Sequence, residues 1–428
     1  MKLPNSSLPG LVMMAWLMGP VYSPAQSANR LPEEKIHAAT MLAKQHPSDL
    51  SWSKLGDVLL AQARDSADPS FFPRAEKAYR TALDLNAKSI DGLLGMAWVE
   101  NGRREFEQSI QWAEKVLALD EKQVDAYGLL GDASVETGDY EKAFERYQKM
   151  LDLRPDMASY SRGARIMFLT GDFKKSAFFY RKALGASVGS TGGESWTMAR
   201  LAQLQFAQGA YVPAAQLLAK GLEKNPANPE LLATMGKVKA GLKDYESAIS
   251  YYIKAMALRP NMDSASALGD LYLIQGKSGA ANSQFQLVET MHLANVKNGV
   301  RDDLEYARFL AEHDRDLPKA LLLAEAEYKS GPSVYAADTL AWCLLKSERI
   351  AEAKTYILKA VNPGTPEASF YYHKGVIFAK ANEVGLARKF LYQALSQNPN
   401  FDPRGTLDAL KWVQQLGEVA VTADVSSK

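Results

Sequence analysis

Small, bulky and helix-ending positions recur along this chain at a fixed spacing. A small residue is followed 24 positions later by a proline in four places: Gly131 and Pro155, Ala202 and Pro226, Gly236 and Pro260, Gly375 and Pro399. Between them come an alanine and, four positions on, a bulky residue: Ala143 and Tyr147, Ala214 and Leu218, Ala248 and Tyr252, Ala387 and Leu391. Ala320, Ala324 and Pro332 keep the spacing with a smaller middle residue. The pattern predicts helix pairs. The small residue lets the first helix cross the second closely, and the bulky one fills the space between them. Proline cannot continue the second helix, so the chain turns there. The turn inside a pair also recurs, as Gly138-Asp139-Tyr140 and Gly171-Asp172-Phe173, with Lys243-Asp244-Tyr245 as a version lacking glycine. Glycine just past a helix end is the expected left-handed cap.

Carried along the chain, this spacing predicts about ten pairs, starting near Asp49, Ile90, Val124, Met157, Ser195, Pro229, Met262, Arg301, Val334 and Ala368. The first is loose, with extra residues from Asp65 to Pro73, and the seventh trails an irregular stretch, His292 to Val300. A helix near Pro32–Gln45 is expected before the array, and Thr406–Leu416 reads as a closing helix with a polar outer face. The run Gly185-Ala186-Ser187-Val188-Gly189-Ser190-Thr191-Gly192-Gly193 interrupts the array. It lacks the Gly-Lys-Ser/Thr ending and preceding strand of a phosphate-binding loop, so a flexible joint is expected. The expected division is 31–186 for one sub-array, 187–194 for a linker, 195–400 for a second sub-array, 401–417 for the closing helix and 418–428 for a disordered tail.

These positions resemble the tetratricopeptide repeat (TPR) at its 34-residue period. The resemblance covers roughly residues 49–400. It implies an all-α right-handed superhelix whose concave groove, lined by the first helix of each pair, binds peptides or partner helices. It is specific for fold and weak for function.

The composition fits. At 428 residues the chain exceeds what one compact core usually spans, whereas a repeat array grows in one dimension. Fifty Lys and Arg oppose 49 Asp and Glu, for a net charge of +1, so no overall field favours nucleic acid or an acidic membrane. The lone cysteine, Cys343, excludes an intrachain disulfide and reads as a buried small hydrophobe. His37, His46, His292, His313 and His373 stand singly, without the spacing that would put two metal ligands on one helical face. No nucleophile–base set stands out, so no catalysis, no cofactor and no metal are expected.

The N-terminus predicts export. Lys2, an apolar stretch from Leu11 to Met18, the break at Gly19-Pro20, and small residues at Ser23-Pro24-Ala25 and Ala28 outline a signal peptide over residues 1–25. The apolar stretch is short of the ~20 residues needed to span a bilayer, and nothing after Arg30 is long and apolar enough. The expected location is periplasmic or secreted, with a cytoplasmic scaffold as the alternative.

Groove positions carried over from the TPR family give Arg162, Arg165 and Phe168 in the fourth repeat, Trp196, Arg200, Gln203 and Phe206 in the fifth, and Lys237 in the sixth. Asp263, Asp270, Asp302 and Glu305 follow, so the groove reads as basic and aromatic, then acidic. No three successive repeats match the carboxylate clamp of chaperone adaptors. The expected partner is a protein or peptide with acidic groups and apolar anchors. The expected role is a non-catalytic binding scaffold. The alternative is an accessory subunit of an envelope polysaccharide synthesis, export or secretion complex.

Overall fold

The structure, a computed structural model, describes residues 24–417, with side chains from Pro32 onward. The expected signal peptide and tail lie outside the described residues, except for Pro24 and Ala25. Among the described residues every regular element is a helix. α1 (Pro24–Gln45) precedes ten pairs: α2 (Asp49–Ser66) with α3 (Phe71–Leu85), α4 (Ile90–Gly102) with α5 (Phe106–Leu119), α6 (Val124–Glu136) with α7 (Tyr140–Leu153), α8 (Met157–Leu169) with α9 (Phe173–Ala186), and α10 (Thr191–Ala207) with α11 (Tyr211–Lys224). The second five are α12 (Pro229–Gly241) with α13 (Tyr245–Leu258), α14 (Met262–Ile274) with α15 (Ser278–Lys297), α16 (Asp303–Glu312) with α17 (Leu317–Ser330), α18 (Val334–Lys346) with α19 (Ile350–Val361), and α20 (Ala368–Lys380) with α21 (Val384–Gln397). α22 (Pro403–Gln415) closes the array.

Eight of the ten pairs begin at the expected residue; the others begin at Thr191 rather than Ser195 and at Asp303 rather than Arg301. The first shift has a local cause. The Ser190 side chain accepts the backbone N–H of Gly193 and caps α10, which draws Gly192 and Gly193 into its first turn. The segment expected as a linker over 187–194 is therefore a turn at 187–190 followed by helix. Ala164, Tyr180, Leu201 and Leu204 form one buried cluster across it, joining α8, α9 and α10. The stretch after His292 also stays helical: α15 has 20 residues where α13 has 14.

Each pair is held by the crossing that the spacing predicts. A Cβ on Gly131 would stand 2.2 Å from the Tyr147 ring, one on Gly269 2.3 Å from Phe285, and one on Gly375 2.7 Å from Leu391. Tyr147 is buried, and its hydroxyl escapes an unsatisfied burial by donating to Asp132 Oδ1 at 2.8 Å. The turn inside the pair is equally regular. Gly138 and Gly171 adopt φ of 76° and 86°, and Lys243 takes φ 62° in the glycine-less version. Asp139, Asp172 and Asp244 then cap α7, α9 and α13 by accepting backbone N–H groups.

The solenoid coils until its turns meet. Val334 N–H donates to Tyr140 Oη at 2.9 Å, Arg301 N–H to the Arg103 carbonyl at 3.0 Å, and Asn398 Nδ2 to the Phe206 carbonyl at 2.8 Å. The Thr365 hydroxyl donates to the Leu169 carbonyl at 2.6 Å. Partners are separated by 194 residues at Tyr140–Val334 and 196 at Leu169–Thr365. At a period of about 34 residues this is about six repeats per turn. The turn inside each early pair thus sits on the junction between two later pairs.

Gly131→Val forces the Tyr147 ring out of the crossing and is expected to cost about 1–3 kcal/mol. Gly185→Ala, where no atom lies within 4 Å of the added Cβ, is expected to be neutral or slightly stabilising. Urea denaturation of the two variants beside wild type checks both.

Candidate functional site

The first helices of the pairs face the inside of the coil, and the ionisable groups there share an unusual setting. Arg165, Arg308 and Glu312 keep 39%, 38% and 37% of their side chains accessible, yet loss of solvation is the first influence on the proton affinity of each. They lie on first helices, which pack against one another along the array. Arg162 and Arg104 are desolvated in the same way, as are Tyr335, Glu367 and Asp402.

The expected basic stripe lies largely on this wall, but most of its charge is already used. Arg162 grips Asp132 with both branches of its guanidinium, Nε to Oδ1 at 3.0 Å and Nη2 to Oδ2 at 2.7 Å. Arg165 pairs with Glu136. Arg200 donates to Glu230 Oε1 at 2.7 Å and to Gln203 Oε1 at 2.9 Å. Gln203 Nε2 reaches Thr234 Oγ1 at 3.3 Å. The Arg200 guanidinium also lies 5.2 Å from the Trp196 ring centroid, and Trp196 is half-buried. Phe168 is half-buried and meets Phe173 edge-on at 5.8 Å. Lys237 is exposed, with its ammonium 5.0 Å from the Phe206 ring.

Phe206 departs from the expected groove position. It is 5% exposed and packs with Met198, Leu218 and Met235. Its ring also lies 5.5 Å from that of Tyr211, while the next turn of the coil covers its backbone: Asn398 binds its carbonyl, and a Cβ on Gly209, three residues on, would meet Pro399. The end of α10 is therefore covered rather than open.

The acidic stretch is also neutralised internally. Asp263 accepts from Arg308 at 2.7 Å. Asp270 is buried between His313 Nε2 at 3.0 Å and Arg404 Nη1 at 2.8 Å. Glu305 pairs with Arg104 across the two turns of the coil. Asp302 lies 2.6 Å from both His292 Nδ1 and Asn295 Nδ2. His292, Asp302 and Asp303 bring potential metal-ligating atoms within 4.8 Å of one another. Because both Asp302 oxygens are taken by His292 and Asn295, and the His292 ring stacks on Tyr306 at 3.8 Å, the arrangement is a closed hydrogen-bond network.

His373 is buried, with Nδ1 2.9 Å from Asp338 Oδ1 and its ring stacked on Trp342 at 4.1 Å. The neighbouring Cys343 is buried, and loss of solvation pushes its thiol up to about 12, which leaves it unreactive. Desolvation also raises the carboxyls of Glu312, Glu367 and Asp402 above their ordinary range, against the opposing charges of Arg308, Lys237 and Arg404. No helix among the described residues is long and apolar enough to cross a membrane.

A continuous array of helix pairs with one face turned to a common interior is a scaffold for protein interaction. TPR family models match residues 102–158 and 229–262, so those segments are tetratricopeptide repeats, and the same close crossing recurs elsewhere in the array, as at Gly375 and Leu391. Proteins of this family bind protein or peptide partners and are in general non-catalytic. The chain is 23% identical over 350 residues to the protein CTR9 homolog of Arabidopsis thaliana, a match covering 62% of this chain and 31% of that protein's length. It therefore spans about a third of that relative. Among solved structures it is similar to yeast Tom70, at 15% identity and a TM-score of 0.39 over 92% of this chain and 93% of that one. It is also similar to a TPR protein from Parabacteroides merdae, at 16% identity and a TM-score of 0.35 over 60% and 99%.

Arg162→Ala strands the Asp132 carboxylate, whose side chain is 17% exposed, and is expected to lower stability by up to about 3 kcal/mol. Arg200→Ala, at a more open pair, is expected to cost at most about 1 kcal/mol. Thermal or urea unfolding separates the two. Because the folded-state carboxyl of Glu312 is raised, its ionisation opposes folding. That penalty is absent below the unfolded pKa and grows as pH rises through the folded one. Glu312→Gln is therefore expected to raise the unfolding midpoint at neutral pH, with the gain disappearing at acidic pH.

Proposed function

We propose that this scaffold holds a peptide segment of a partner protein inside the coil, on the wall formed by α8, α10 and α12. The observation that carries the reading is the accessibility of Arg165, which keeps 39% of its side chain open beside Glu136, together with the exposed ammonium of Lys237 on the same wall. These cations, with the half-buried rings of Trp196 and Phe168, suit a segment that carries carboxylates and apolar side chains. Arginine binds carboxylates in a planar fork, and aromatic anchors supply most of the energy at such contacts. Arg162 serves chiefly to fix the wall, because its guanidinium is already spent on Asp132.

The test is selection from a random peptide library with the wild-type chain and with Arg165→Gln/Lys237→Glu. Peptides taken up by wild type are expected to be enriched in Asp, Glu and aromatic residues, and the variant is expected to lose the acidic preference. The same enrichment from both proteins rejects the site. We further propose that the chain works after export, on the strength of the N-terminal charge, apolar stretch and small residues at 1–25. N-terminal sequencing of the protein from its native cell is expected to begin near residue 26; an intact Met1 overturns export.

A further inference from the structure

The contacts between turns of the coil form a regular seam. Arg103 meets Arg301, Tyr140 meets Val334, Leu169 meets Thr365, and Tyr211 meets Asn398 and Asn400. Arg104 adds an ion pair to Glu305. Successive contacts along each strand of the seam fall about one repeat apart, as expected if every repeat contributes the same rotation. Most of the bonds involve backbone groups on at least one side, and the approach is close. A Cβ on Gly331 would stand 2.6 Å from the Glu136 carbonyl oxygen, and one on Gly138 2.5 Å from that of Pro332.

A closed seam fixes the width of the interior. Neighbouring helices pack about 10 Å apart, so about six first helices make a ring near 60 Å around, or about 10 Å in radius. Subtracting a helix half-width of about 5 Å leaves a channel roughly 10 Å across. That holds one extended chain with its side chains, whereas a small domain is about 30 Å wide. An open concave groove would impose no such limit, since a folded partner could lie against it from the side.

We propose that the seam acts as a latch: closed, it admits an extended segment to the interior and keeps folded partners out. This rests on the reading that the interior is the binding surface, but its test needs no partner. The ends of the seam bonds lie on different repeats, and each repeat keeps its own crossing. The latch can therefore open without any repeat unfolding. Gly331 gives a way to open it. Its φ is −155°, extended backbone that any residue adopts, so a side chain there strains nothing locally and wedges against Glu136 and Thr137 of the facing turn.

The experiment places a single reactive thiol inside, as Lys237→Cys in the full chain, with the buried Cys343 silent. Labelling rates are measured with a small maleimide and with the same maleimide carried on a small folded protein. The small reagent is expected to label at the same rate in every variant. The protein-borne reagent is expected to label slowly, and roughly tenfold faster once Gly331→Val wedges the seam. A milder second variant, Tyr140→Phe/Tyr211→Phe, removes two hydroxyls that accept the backbone N–H groups of Val334 and Asn400 and is expected to accelerate it in the same direction. It leaves the helix crossings intact if the valine prevents folding. Equal access of the protein-borne reagent to the introduced thiol, with the seam intact and in both seam variants, overturns the latch, while leaving peptide binding to be judged by the library selection. An accelerated reagent with an unchanged peptide preference has the opposite meaning: the latch stands and the binding site falls.

Discussion

The whole molecule depends on one close approach, repeated. In the pairs with glycine at the crossing a ring or branched side chain occupies the volume that a Cβ would need, as Tyr147 does at Gly131 and Phe285 at Gly269. Not even alanine fits opposite at those glycines, so the two helices are held at one close separation. Because the crossing is the same from pair to pair, the rotation from one repeat to the next is the same too. A constant rotation makes a coil, and about six repeats bring the chain back over itself. The seam and the enclosed interior follow from that. Stability is local in origin, since each crossing belongs to one pair. Shape is global, since small changes of rotation would add along the array and pull the seam out of register.

The charges of the interior obey the same repetition. Asp132 and Arg162 are 30 residues apart, Glu136 and Arg165 are 29, and Arg200 and Glu230 are 30. Facing positions on successive first helices carry opposite signs, so the wall neutralises itself along the axis. Enclosed arginines stay charged because a carboxylate is within reach. Carboxyls with weaker compensation, Glu312, Glu367 and Asp402, have raised proton affinity instead. Both outcomes come from the cost of removing an ion from water.

What the sequence discloses depends on how far apart the interacting residues lie. The crossing is written within 16 positions, from Gly131 to Tyr147, and it recurs, so eight pair starts coincide with the structure. The ion pairs are within reach as well: counting back 30 positions from Arg162 finds Asp132. A similar step links Asp338 to His373 at 35. The glycine run is harder, because its composition suggests flexibility while the decisive group is the Ser190 cap, which makes Gly192 and Gly193 helical. The seam leaves no trace. Its partners are some 194 residues apart and use main-chain groups, which every residue possesses. Phe206 is misread for a different reason: its position within the repeat points to the groove, yet its ring turns into the core with Met198, Leu218 and Met235.

A self-neutralised wall also limits how a partner can be bound. An incoming carboxylate gains little from Arg162, because it must displace Asp132, which already makes a two-pronged contact and would be left half-buried with only the Tyr147 hydroxyl. Arg165 is more available, with Glu136 as its ion-pair partner and two-fifths of its side chain accessible. Lys237 differs in kind. Its charge acts on Glu367 and Asp402 from a distance, and its ammonium rests over an aromatic ring. A group compensated only at a distance loses less on accepting a new partner than one in direct contact. Charge recognition would therefore concentrate at Lys237 and Arg165, and the rest of the affinity would come from apolar side chains near Trp196 and Phe168. The paired charges between them would act chiefly by exclusion, since an apolar stretch laid over them would strip water from ions without replacing it.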